Sequence, residues 1–142
     1  MTDTTMETKP KRPILVWILG ILGVIFALLG ALGLIMWDPN MQGLPPQQAE
    51  YMRSFDTVDF VLAGTSIVLL FLGSALLFDL RAIAAHLLGL NLLVSIGHTT
   101  LEVLTVPSYL AVATPVTLGI NFAIYGALTA YAYWLKAKGT LR

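Results

Sequence analysis

Four polar residues recur along one apolar stretch: Asn91, Ser95, His98 and Glu102, within RAIAAHLLGLNLLVSIGHTTLEVL, residues 81–104. Steps of four, three and four put them on one helical stripe, within about 60° of arc at about 100° per residue. The stretch is apolar enough to cross a bilayer. Hydrocarbon offers a polar side chain no partner, so the stripe must face protein or water. His98 and Glu102, one turn apart, can pair directly. Such a pair can relay a proton or contact a small polar ligand.

Asp59 falls at similar depth on the preceding apolar stretch, and Thr117 and Asn121 on the following one. If these stripes face one another, they line a polar pocket that opens outward. That arrangement suits a proton-linked or small-solute site. Interhelical hydrogen bonding with one interfacial ion pair is the plainer reading, and spacing alone favours it. His98 and Glu102 also have the i, i+4 spacing that zinc sites use. A third ligand has to be Asp56 or Asp59, and nothing in the spacing forces that meeting, so no metal is assigned. Capping of a helix start explains Asp56 and Asp59 better.

Other chemistries lack parts. His86 and His98 are twelve residues apart on one helix, about 18 Å along its axis, too far to clamp one haem iron. His86 is turned away from the stripe, beside Arg81, where a headgroup contact suits it. The chain has no histidine cluster for a di-iron centre, no Gly-rich phosphate loop and no serine elbow. Cysteine is absent, which removes disulfides, thiolate metal sites and thiol redox chemistry. No cofactor is expected, and an enzyme is the least favoured class.

Composition explains what must position the stripe. The 142 residues are 57% hydrophobic and only 11% charged, against about 25% charged in a soluble domain. Long apolar runs in such a chain predict an integral membrane protein whose first partner is the lipid bilayer. Net charge is zero, so no nucleic acid is expected. The fold class is all-α: a four-helix transmembrane bundle with spans at about 14–37, 58–78, 82–104 and 115–135. Residues 1–13 form a tail with a basic anchor at Lys9, Lys11 and Arg12, and residues 136–142 form a second tail. The longest connection, 38–55, carries Asp38-Pro39-Asn40 turn chemistry and the stiff Pro45-Pro46. After those prolines, Gln47 to Arg53 predict a short interfacial helix with Tyr51 and Met52 toward lipid. Gly23, Ala27 and Ala31 on the first span, and Gly126 among small residues of the fourth, are expected to let helices approach closely.

Charge sets the orientation. With the N-terminus inside, the inner segments hold Lys9, Lys11, Arg12, Arg81, Lys136, Lys138 and Arg142, and the outer segments hold only Arg53. Taking the membrane as a cytoplasmic one, both termini are therefore expected in the cytoplasm.

LPPQQAEYMRSFDTVDFVLAG, followed by SIVLLFLGSALLFDLRAIAAHLLGLNLLV, resembles small uncharacterised bacterial four-span membrane proteins. The GSALLFDLRAIAAH stretch is similar to the turn between the second and third spans of DoxX-like proteins. These resemblances imply a four-helix fold in a bacterial inner membrane, with no assigned activity. They carry over no site residue, because the second span lacks the acid a DoxX-like protein is expected to hold there. Two functions are then expected from this sequence. A non-catalytic scaffold or accessory subunit, as a homo-oligomer or with another membrane protein, comes first. A binding or transport protein using the outward polar pocket is the alternative.

Overall fold

The computed structural model describes residues 13–142; the expected basic anchor at Lys9, Lys11 and Arg12 lies outside them. The described residues form six helices and no strand: α1 (Ile14–Ile35), α2 (Pro46–Ser54), α3 (Thr57–Phe78), α4 (Ile83–Thr105), α5 (Tyr109–Val112) and α6 (Pro115–Ala137). α1, α3 and α4 are long and apolar enough to cross a membrane. α6 has 23 residues but is less apolar than these three, because Thr117, Asn121, Thr129 and three tyrosines interrupt it. The one-turn α5 falls where the sequence predicted only a loop.

Helix ends follow local chemistry. Asp56 caps α3 by accepting from the Val58 and Asp59 amides, and Asp59 accepts in return from the Asp56 amide, a reciprocal capping box. Pro46 and Pro115 occupy first-turn positions of α2 and α6, where a missing N–H costs nothing. α3 stops at Leu80, which takes a left-handed φ of 55°. The Leu80 and Arg81 amides then donate back to Leu77 and Leu76. α6 ends the same way at Gly139.

α3 packs between α1 and α4, α4 packs on α6, and α1 meets α6 more lightly. Small residues permit these approaches. A side chain at Gly23 would collide with the Ser74 hydroxyl, and a Cβ at Gly73 would lie 2.8 Å from Leu88 Cγ. Gly23 and Ala27 are thus buried within the chain. Ala31 and Gly126 are partly exposed, and a Cβ at Gly126 would meet nothing.

The core of Val16, Leu77, Ala84, Leu88, Leu128 and Leu135 lies toward the end that carries Arg81, Lys136 and Lys138. We call this the basic end, and the opposite one the site end. The expected tail at residues 136–142 is not free: Leu141 is buried, and Arg142 exchanges backbone hydrogen bonds with Leu80 and Ala82. The unpaired backbone of the α3–α4 turn supplies those partners. Elsewhere the long helices expose large apolar side chains, among them Ile18, Ile25, Leu29, Val61 and Leu93. That is far more apolar surface than a water-soluble monomer tolerates.

Candidate functional site

At the site end, α3 and α4 turn their polar residues toward each other. In the lower tier, Ser66 Oγ donates to Asn91 Oδ1 at 2.7 Å and lies 3.0 Å from Ser95 Oγ. Asn91 is fully buried, so this network satisfies a group that would otherwise be costly in an apolar interior.

The upper tier joins Asp59 to His98 and Glu102. His98 Nε2 lies 3.5 Å from Asp59 Oδ1 and 3.4 Å from Glu102 Oε1. Glu102 is only 2% exposed and Asp59 8%. Asp59 therefore has two jobs: Oδ2 accepts from the Asp56 amide at 2.9 Å, and Oδ1 faces the imidazole. The capping box fixes where that second oxygen points.

A third element closes over this tier. Tyr51, from α2, donates its hydroxyl to Glu102 Oε1 at 3.4 Å. Its ring packs against Trp37 and Tyr109 with centroids 5.8 and 5.6 Å apart. Phe55 stacks on Trp37 at 4.2 Å and meets the His98 ring edge-on. The expectation that Tyr51 faces lipid is corrected by this contact. An amphipathic ring with a polar tip satisfies both ends better between an aromatic cluster and a buried carboxylate than at a lipid surface. Burial beside the Glu102 carboxylate raises the Tyr51 phenol above its usual pKa, so it remains a neutral donor. Tyr109, buried on α5, shifts the same way.

Beside the upper tier lies a cavity of about 430 Å³. Its walls are Gly30 and Leu34 of α1, Trp37 just after it, Ala63 and Ser66 of α3, Ser95 and His98 of α4, and Asn121, Phe122 and Tyr125 of α6. Leu128 of α6 reaches Gly23 of α1 below it. Near the site end α1 and α6 become opposite walls.

The sequence-derived residues therefore divide. Asn91, Ser95, His98, Glu102 and Asp59 come together, and Asn121 lines the adjoining cavity. Thr117 does not join them. It is exposed, 2.9 Å from the Thr114 hydroxyl, and its amide donates to that hydroxyl. The unpaired first turn of α6 uses these threonines as its cap. His86 is at the basic end, where Lys136 Nζ donates to its Nε2 at 2.6 Å. Sequence reasoning missed Tyr51, Trp37, Phe55 and Tyr109. Their clustering around the loops was a signal, but interfacial belts give the same one.

No family model matches this chain, and neither a curated protein nor a solved structure matches it.

Proposed function

We propose that this protein is a multi-pass protein of the bacterial cytoplasmic membrane that binds a small polar solute in an outward-facing pocket. α1, α3, α4 and α6 form its four-helix transmembrane bundle, with both termini in the cytoplasm. The observation that carries the reading is the cavity itself. It has the volume of a small-ligand site, mostly apolar walls, and a few convergent polar groups at Ser66, Ser95, His98 and Asn121. An ionisable cluster at its rim suits coupling of binding to a proton or another cation. The arginine and lysine asymmetry between the two ends supports the orientation, and the exposed apolar faces of α1, α3 and α4 support the membrane.

The chain has no native cysteine, so a single introduced thiol reports its own surroundings. Ser95→Cys should react with a small, charged thiol reagent added outside intact cells. Asn121→Phe, which fills the cavity, should slow that reaction. Leu93→Cys, on the apolar outer face of α4, should stay unreactive. An inert Cys at position 95 would rule out an open pocket.

A second reading, a scaffold or homo-oligomer, keeps one support. Gly119, Ala123, Ala127 and Ala130 form an exposed small-residue face on α6, the least apolar of the four long helices. Such a face suits close approach by another helix. The corresponding argument from α1 is weaker, because Gly23 and Ala27 already contact their own chain.

A further inference from the structure

We propose that Asp59, His98 and Glu102 bind one divalent transition-metal ion. This deepens the pocket reading, and rests on it for the claim that the site end receives ligands. One donor atom from each of the three residues lies within 4.8 Å of the others. The two imidazole distances, 3.4 and 3.5 Å, are informative. A charge-assisted N–H···O bond is shorter, about 2.7–2.9 Å. Ligands held at about 2.1 Å by a tetrahedral ion are separated by about 3.4 Å. The imidazole is thus spaced from each carboxylate as two donors that share an ion are.

Two further observations point the same way. His98 Nε2 is itself buried, and it has no hydrogen-bond partner among the described residues. An orphaned imidazole nitrogen aimed at two carboxylates is costly unless something binds it. The carboxylates are also poorly placed without a cation. Glu102 is almost fully buried and Asp59 nearly so, and carboxylates in an apolar surrounding are stable only where a partner offsets their charge. An ion between them removes both problems at once.

Supporting groups complete the picture. The Asp56 amide orients Asp59, and the Tyr51 hydroxyl reaches Glu102, as outer partners of metal ligands commonly do. One nitrogen and two oxygen donors, with no sulfur, suit Zn²⁺, Mn²⁺ or Fe²⁺ rather than a soft ion. Three protein ligands leave a coordination position open. His98 also lines the cavity, so a solute bound there lies next to that position.

The test uses the full-length protein, purified in lipid nanodiscs, stripped with a chelator and titrated with ZnCl2 or MnCl2 alone. Calorimetry should show one ion per chain, and thermal unfolding should shift upward with ion concentration, since ligand binding favours the folded state. Asp59→Asn, His98→Gln and Glu102→Gln preserve shape. Each should weaken ion affinity by more than about 100-fold, beyond the loss typical of an outer partner. Thr129→Val, which removes a hydroxyl bonded to the Leu88 carbonyl away from the pocket, should leave ion affinity within about twofold, because distant sites are close to independent. The wild-type titration needs no variant to fold. Absence of stoichiometric binding of either ion, or unchanged affinity in all three variants, overturns the proposal. The Ser95→Cys accessibility experiment is independent of any metal, so failure here leaves the pocket reading standing, and failure there does not remove the ion.

Discussion

At the scale of single residues, the two tiers at the site end differ in how their polar groups are satisfied. Ser66 holds Asn91 and Ser95 in a hydrogen-bonded tier below the ionisable groups. Removing its hydroxyl with Ser66→Ala should cost about 0.5–1.5 kcal/mol, the range for interhelical hydrogen bonds in membranes. Equilibrium unfolding in mixed micelles would measure it, and no loss at all would mean that Asn91 finds another partner. His98 differs, because its Nε2 is buried between two carboxylates at distances too long for good hydrogen bonds. The α4 stripe was legible in the sequence, since a period of four, three and four residues fixes one helix face. Asp59 was legible as a residue at similar depth on the preceding span, but its meeting with His98 was not. A carboxylate in a helix first turn reads as a cap, which it is, and the sequence says nothing about its second oxygen.

At the scale of elements, the site depends on α2 and on two close helix contacts. The five longer helices were legible, with boundaries within a few residues, because apolar run length and proline positions set them; the one-turn α5 was not. Helix rotation was not, since hydropathy gives span but not facing. That is why Tyr51 was expected at the lipid surface and lies instead against Glu102. The glycines separate two kinds of contact. Gly23→Ala places a Cβ onto the Ser74 hydroxyl, so it should destabilise the folded chain by about 1–3 kcal/mol, as overpacking does. Gly126→Ala meets nothing within the chain and should leave its stability unchanged or slightly raised, because alanine favours helix. Unfolding of the two variants checks this. A stability loss in Gly126→Ala that appears only with loss of a higher oligomer would identify α6 as an assembly face.

At the scale of the whole molecule, charge and apolar surface divide the structure. Arg81, Lys136, Lys138 and Arg142 gather at one end, and Asp56, Asp59 and Glu102 at the other. The positive-inside bias predicts that the acidic, aromatic site end faces away from the cytoplasm. A cysteine at Gln42, in the connection before α2, should be labelled from outside intact cells. Labelling only after the membrane is opened would invert the orientation and direct the pocket inward. The overall class was the most legible property of all, because three long apolar helices need only composition to be seen. The fourth long helix was read as a span like the others, yet its polar residues set it apart. Asn121 faces the cavity, and three tyrosines lie along α6 at positions 125, 131 and 133.

The central claim is that the site end is a binding pocket rather than a packing device. Native mass spectrometry of the protein extracted gently from its own membrane tests this most directly. A single chain carrying a small-molecule or ion adduct, with the solute lost in the cavity-filling Ala63→Phe variant and the ion lost in His98→Gln, is the result the account predicts. A bare chain, or an assembly of polypeptides unchanged by either substitution, would contradict it and return the protein to the scaffold reading.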